Sequence, residues 1–272
     1  MTTHAQLHKK ALDLAPSSFE GGEIFRFATG LSPHSDQLGG PASPGEIAEV
    51  DRLLGARASG YPLQYLLGEW AFYGLPFCVG PGVLIPRQDT ETLVDAALSL
   101  LKKGEAANPE VLDLCSGSGC LAIAIKHHFP AARVGALEAS AQAFAYIGKN
   151  CALNGVEIAK TQADLRDYTH PRPLDLIVSN PPYIPRRDFS SLQTEVTYEP
   201  IAALDGGHDG LDFFRVIARR YKSQLAPGGH ILLEVGDGQS GQVAEILTAF
   251  GYRDIAVHKD LTGRPRVIEG CA

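Results

Sequence analysis

Apolar positions change their spacing twice along the chain. In the first part, Ile47, Val50, Leu53 and Leu54 recur at helical intervals behind Pro44 and Glu46, residues suited to a helix start. Helix-like clusters from Ile24 to Leu67 are broken between Gly30 and Gly45, a stretch too rich in glycine, proline and serine to hold a helix. Between Trp70 and Ile85 the runs shorten and Gly74, Gly80 and Gly82 punctuate them, which predicts a hairpin and a domain boundary near Gly82. Beyond Arg87 helical spacing returns. Leu93, Val94, Ala97, Leu98 and Leu101 form one apolar face, with Asp89 or Thr90 as the cap and Glu91 in the positive first turn.

From Val111 onward short β-like runs alternate with helical ones. Val111 to Leu114, Val134 to Leu137, Leu174 to Val178 and Ile231 to Val235 have the length and composition of strands, and a weaker strand precedes Asp164. Helical patterns fall near 121–127, 141–153, 211–225 and 243–250. Such alternation predicts an α/β fold with a mostly parallel sheet covered on both faces. Two last runs, Ile255 to Val257 and Arg266 to Ile268, predict a closing hairpin around Thr262 to Pro265. The expected organisation is a small helical domain with a hairpin linker over 1–82 and a larger α/β domain over 83–272.

Composition narrows the class. With 272 residues, 44% hydrophobic and 20% charged, the chain can build a real core. No apolar run approaches the roughly 20 residues of a membrane span, and the opening residues lack the apolar stretch of a signal peptide, so a cytoplasmic protein is expected. The five cysteines, Cys78, Cys115, Cys120, Cys151 and Cys271, are odd in number and scattered, without metal-site spacing, and are expected to be reduced and mostly buried. A net charge of -7 argues against a protein that grips a nucleic-acid backbone through many phosphate contacts.

Candidate chemistry sits at the ends of predicted strands. After the first parallel strand, Cys115, Ser116, Gly117, Ser118 and Gly119 form a loop whose glycines let the backbone turn tightly and approach a ligand at a helix N-terminus. Gly117-x-Gly119-x-x-Ala122 also fits a dinucleotide fingerprint, so the loop alone does not choose between adenosine-bearing cofactors. Glu138 ends the second strand, where an acidic side chain can accept both ribose hydroxyls. Asp113 is either a satisfied strand-end acid or a group facing the cofactor through water. Asp164 and Leu165 follow the weak strand, where a bond to the adenine and packing on its ring are expected.

The most specific feature is Asn180-Pro181-Pro182-Tyr183, directly after the strand Leu174 to Val178. Ligands in open α/β sheets bind at the carboxyl ends of the strands, so this motif should converge with Gly117, Gly119 and Glu138 on one crevice. An NH2 group on an sp2 carbon is a poor nucleophile, because its lone pair is delocalised. The Asn180 side-chain oxygen and the Pro181 carbonyl can accept its two N–H bonds and turn the lone pair toward an electrophilic methyl group. The two prolines stiffen the loop, and Tyr183 can lay its ring on the planar substrate. A sulfonium methyl donor supplies the electrophile, so neither metal nor thiol is needed.

These residues resemble the release factor glutamine methyltransferase family. The likeness runs from Tyr61 onward through Pro62 to Glu69, Leu84 to Glu91, the glycine loop, Ile177 to Pro185, Tyr198-Glu-Pro200, Gly206 to Leu211, Leu233 to Gly236 and Arg266 to Gly270. It implies a class I methyltransferase domain of Rossmann-like fold, an N-terminal helical domain that helps grip the substrate, and S-adenosylmethionine as donor, leaving S-adenosylhomocysteine. The implied partner is a peptide chain release factor, methylated at the side-chain amide nitrogen of its Gly-Gly-Gln glutamine. Carried over by position, Cys115 to Gly119, Glu138, Leu165 and Asn180 would touch the donor, while Asn180, Pro181, Pro182 and Tyr183 would hold the amide. Cys115 stands where the family often has glycine, Glu138 where it usually has aspartate, Leu165 where a larger aromatic occurs and Gln88 where proline is common.

Two related substrates compete, a glutamine of a ribosomal protein and the amino group of a nucleic-acid base such as adenine N6. The segment Leu84 to Glu91 looks more like the release factor branch, and the acidic balance gives a nucleic acid little electrostatic help. A nicotinamide-dependent oxidoreductase would use the glycine loop and Glu138 equally well but would leave Asn180 to Tyr183 without a job.

Overall fold

The computed structural model describes residues 1–272, which fold as two compact units. The smaller comprises Met1–Gly68 together with Gln193–Tyr198. Its helices are α1 (His4–Leu14), α2 (Ser18–Thr29), α3 (Pro44–Ala58) and the short α4 (Leu63–Leu67). Thr3 with Gln6 and Ser43 with Glu46 form capping boxes that satisfy the first free N–H groups of α1 and α3, and Pro44 starts α3. Leu7, Ala11, Ile24, Phe25, Val50 and Leu53 are fully buried and make this unit's core. Between α2 and α3 only a 3-10 turn, Asp36–Gly39, forms. The distant segment Gln193–Tyr198 is held to the unit by Arg57, whose buried guanidinium bonds both Glu20 and Glu195. Tyr198 also meets Tyr61 edge to face at 5.1 Å.

The larger unit comprises Glu69–Leu192 and Glu199–Ala272. It opens with the hairpin β1 (Glu69–Phe72) and β2 (Leu75–Cys78), followed by α5 (Glu91–Lys103). Then come β3 (Glu110–Leu114), α6 (Cys120–His128), β4 (Arg133–Glu138), α7 (Ala141–Leu153), β5 (Ala159–Gln162) and β6 (Leu174–Ser179). The chain closes with α8 (Asp212–Tyr221), β7 (Leu225–Glu234), α9 (Ser240–Ala249), β8 (Arg253–Lys259) and β9 (Pro265–Cys271). The sheet order is β5-β4-β3-β6-β7-β9-β8, parallel through β7 and antiparallel in the closing hairpin.

Alternate strand residues feed two cores. Val111, Val178 and Leu232 point to the side where α5 and α6 pack, whereas Leu112, Ile177 and Leu233 point to the side of α8 and α9. Burial on both faces is why these strands read as continuous apolar runs rather than alternating ones.

The units divide between Gly68 and Glu69 rather than near Gly82. Phe72 and Phe77 of the hairpin are buried in the larger unit's core, so the hairpin belongs there by packing. Helix α1 lies before the region where the sequence pattern predicts helices. Strand β7 begins at Leu225 rather than Ile231, because Leu225 already pairs with Leu174, and α8 is correspondingly shorter than 211–225. Thr90 is the residue before α5, but its hydroxyl makes no capping bond. Cys151 is buried, the other four cysteines are partly exposed as whole residues, though the thiols of Cys115 and Cys120 point inward, and all five are free.

Candidate active site

The ends of four adjacent strands, β5, β4, β3 and β6, open on one cavity of about 410 Å³ in the larger unit. Strand β3 delivers the glycine loop. Its shape is fixed from below by Asp113, which is fully buried and accepts from the Ser116 hydroxyl at 2.5 Å and from the Ala122 N–H at 3.3 Å. Burial in this apolar setting raises the Asp113 carboxyl to about 7, with the neighbouring Glu138 charge adding to the shift. Its Oδ1 has no hydrogen-bond partner. From the side, Asn150 of α7 donates to the Ser118 carbonyl at 2.9 Å and clamps the backbone of Cys78. Gly119 has a left-handed φ of 82° and ends the loop as the residue before α6. A Cβ there would lie 3.2 Å from Ile123 and Ile147, so this glycine serves the helix packing.

Glu138 at the end of β4 accepts from the Gly117 N–H and from the Ser140 N–H, both at 2.8 Å. Each carboxylate oxygen keeps a further acceptor position. Past β5, Asp164 accepts from the Arg166 N–H at 2.8 Å and pairs with its guanidinium at 3.1 Å. Leu165 is buried and lends the cavity an apolar wall. At the end of β6, Asn180 and Pro182 line the cavity, and the Asn180 Nδ2 donates to the Thr90 hydroxyl at 3.2 Å.

Cys115, Ser116, Gly117, Ser118, Glu138, Leu165, Asn180 and Pro182 are thus brought together on the cavity wall, whereas Gly119, Pro181 and Tyr183 stand behind it. Tyr183 differs most from expectation. Its ring packs against Gly236 and its hydroxyl donates to Glu234 at 3.4 Å, so the ring face is not presented to the cavity. The turn after Tyr183 explains the glycines of the Gly206 to Leu211 segment. A Cβ on Gly206 would stand 2.7 Å from the Tyr183 backbone, and one on Gly210 2.4 Å from its carbonyl oxygen, which only glycine permits.

The two cavity-lining thiols are held protonated. Burial, helped by the Glu138 and Asp113 charges, raises the Cys115 thiol well above its ordinary value, and burial pushes Cys120 to about 12.

Several residues at the site had no role assigned from sequence. Arg87 lines the cavity and pairs with the buried Glu199, which also accepts from the Ile85 N–H at 3.0 Å. Burial raises the Glu199 carboxyl, and the Arg87 charge partly opposes that. Glu234 at the end of β7 is almost wholly buried; its Oε1 accepts from the Tyr183 hydroxyl at 3.4 Å and its Oε2 has no hydrogen-bond partner. Glu199 and Glu234 lie in the short segments Tyr198 to Pro200 and Leu233 to Gly236, where the resemblance was the only pointer to them.

A parallel sheet ending in an antiparallel hairpin, with a glycine loop, a strand-end acid and Asn-Pro-Pro-Tyr around one cavity, defines a methyltransferase of class I fold. The Methyltransferase small domain family matches residues 89–203. Among solved structures, the 16S rRNA N2 G1207 methyltransferase of T. thermophilus, in complex with AdoMet and guanosine, superposes with a TM-score of 0.53. It is 18% identical, over 75% of this chain and 49% of that one. The release factor glutamine methyltransferase of Geobacter sulfurreducens is 42% identical over 231 residues, 85% of this chain and 80% of that protein. That of Thermodesulfovibrio yellowstonii is 38% identical over 80% of this chain and 79% of its own length. This chain belongs to the release factor glutamine methyltransferase family.

Proposed function

We propose that this enzyme transfers a methyl group from S-adenosylmethionine to the side-chain amide nitrogen of the glutamine in the Gly-Gly-Gln motif of peptide chain release factors, in the cytoplasm. No helix is long and apolar enough to cross a membrane. The residues present fit such a donor. Glu138 offers ribose acceptors and a negative charge at the cavity wall, and Leu165 an apolar wall for a ring. Bound there, the donor supplies a methyl group made electrophilic by its sulfonium.

The single observation that carries the substrate side is the Asn180 amide. Its nitrogen is occupied by Thr90, which leaves its oxygen as the acceptor on the cavity wall. An incoming glutamine NH2 donates to that oxygen, which restricts its orientation and adds electron density at nitrogen. Pro181 and Pro182 are buried, which keeps the acceptor's loop fixed. Tyr183 contributes by anchoring the loop end on Glu234 rather than by covering the substrate.

The helical unit is assigned to gripping the release factor away from the reacting amide. Contacts made there, away from the reacting amide, can raise efficiency at the reacting group.

The test is mass spectrometry of full-length release factor after incubation with labelled donor. Methylation at the Gly-Gly-Gln glutamine is expected, with folded Asn180→Ala losing most turnover while still binding S-adenosylhomocysteine by calorimetry. Methyl transfer to a ribosomal protein or to adenine in DNA, with none to the release factor, would overturn the substrate. Near-normal turnover by Asn180→Ala would overturn its role.

A further inference from the structure

Gln239 is the residue before α9, yet its side chain makes no capping bond there. Its backbone is held all the same. The N–H donates to the Gly236 carbonyl at 3.1 Å, and the carbonyl receives the Val243 N–H at 3.0 Å in the first turn of the helix. From that fixed base the buried carboxamide reaches three partners. Nε2 donates to the Tyr183 carbonyl at 2.9 Å and to the Gly210 carbonyl at 3.4 Å, and Oε1 accepts from the Gly236 N–H at 3.0 Å. One side chain thus ties the end of the Asn180 to Tyr183 motif to the Gly206 to Leu211 segment and to the exit of β7. The backbone makes room for it, since a Cβ on Gly210 would stand 2.6 Å from Nε2 and one on Gly236 2.9 Å from Oε1.

The chemistry of the motif gives this tie its importance. Pro181 and Pro182 carry no N–H, so two residues of the loop have no donor with which to fasten it. Their rings also hold φ near roughly −65°, which makes the loop a short stiff arm rather than a slack one. Its near end is fixed where Ser179 pairs with Leu114 of β3 and Leu233 of β7. Its far end is the Tyr183 carbonyl, which Gln239 receives. Beyond it, the Ile184 N–H donates to the Leu204 carbonyl at 2.9 Å. The three partners of Gln239 also dictate its amide: two carbonyls face the nitrogen and one N–H faces the oxygen, an arrangement that neither a carboxylate nor a thioether can satisfy.

We infer that Gln239 is a positioning residue for methyl transfer, which holds the Tyr183 carbonyl and, through the two prolines, sets where the Asn180 amide stands on the cavity wall. The inference rests on the reading of Asn180 as the acceptor for the reacting amide. Gln239 touches neither donor nor substrate. Its effect falls on alignment, where a shift of about 1 Å can cost up to about a hundredfold in rate.

The full chain is tested by two measurements. Backbone amide exchange of Gly236 and Ile184, followed by NMR, needs no substrate. Steady-state methylation of full-length release factor gives kcat and KM, with S-adenosylhomocysteine affinity and urea unfolding measured alongside. Gln239→Met keeps the length and loses all three bonds. It should speed exchange at both amides and lower kcat by about tenfold or more, with KM and S-adenosylhomocysteine affinity little changed. Gln239→Glu keeps an acceptor for Gly236 but turns an oxygen toward two carbonyls, so Gly236 should stay protected while Ile184 exchanges faster and kcat falls at least as far. Should Gln239→Met not fold, Gln239→Asn, one methylene too short to reach all three partners, carries the same expectation. Parental kcat in folded Gln239→Met or Gln239→Glu would overturn the inference. So would a defect confined to KM, to donor affinity or to stability. If the parent enzyme failed to methylate release factor, the proposed substrate would be wrong, and Ile184 exchange would still decide whether Gln239 holds the loop.

Discussion

Cys115 illustrates how one residue departs from a pattern without losing the geometry that the pattern serves. Its φ is +57°, in the left-handed region, and glycine is the common family residue at that position because it enters this region without a steric penalty. A side chain there costs about 1–2 kcal/mol, which removal of the Cβ would relieve. Glycine would also free the unfolded chain, at roughly 0.4–1 kcal/mol, and would lose the contacts of a thiol packed against the core on the α8 and α9 side. The opposing terms nearly cancel, so Cys115→Gly should unfold in urea within about 1 kcal/mol of the parent. Cys115→Val adds a branched Cβ to the same backbone and should cost more than about 2 kcal/mol. Equal stability of the two variants would mean that the loop relaxes out of the left-handed conformation and that its geometry is not set by Cys115.

Elements were legible where their apolar period was strong. α7 matches the predicted range 141–153, and β3, β4 and β6 extend their predicted cores by one or two residues, since both faces of these strands are buried and most of their residues are apolar. α1 was not, because only Leu7 and Ala11 are buried in eleven residues otherwise rich in histidine, lysine and other polar side chains. The Thr3 and Gln6 capping box was the readable trace of it. At the site, the loop, Glu138 and Asn180 could be read because they sit at strand ends. Thr90, Glu199 and Glu234 act through partners far away in sequence, and no local pattern marks such pairings.

α1 and α2 also yield a paired test of packing against propensity. Alanine is favoured over glycine inside a helix by about 1 kcal/mol. A Cβ on Gly21 of α2 would fall 2.6 Å from the Ala11 carbonyl oxygen and 2.8 Å from Leu12 Cα, both backbone atoms of α1 or beside them, whereas Gly22 has nothing within 4 Å. Gly21→Ala should therefore lose about 1–3 kcal/mol by overpacking, and Gly22→Ala should gain up to about 1 kcal/mol. Thermal and urea unfolding would show it. Stabilisation by both changes would mean that α1 and α2 are not in close contact.

At the scale of the whole molecule, two fully buried carboxyls give stability an uncommon dependence on pH. Asp113 and Glu234 both titrate near 7 in the folded protein, raised chiefly by desolvation, against ordinary values of 3.8 and 4.5. Their folded pKa lies above the unfolded one, so the folded state holds protons that the unfolded state has released. Their contribution is fully present below about pH 4 and is lost as pH rises through about 7, on the order of 3–4 kcal/mol each. Asp209 has the opposite sign, since Arg215 holds it at about 2, and its stabilisation is lost only as pH falls below the ordinary carboxylate range. The two effects occupy different windows, which makes the interval from pH 5 to 8 diagnostic for the buried pair. Asp113→Asn keeps an acceptor for both Ser116 and Ala122 while removing the charge. It is expected to match or exceed the parent's stability at pH 8 and to reduce the fall in stability between pH 5 and 8 in urea titrations. Glu234→Gln should flatten the remainder of that fall. A parent protein that grows steadily more stable from pH 5 to 8, with no flattening in either variant, would show that these carboxyls ionise at ordinary values and that the ground beneath the glycine loop and the Asn180 motif is better solvated than its packing implies.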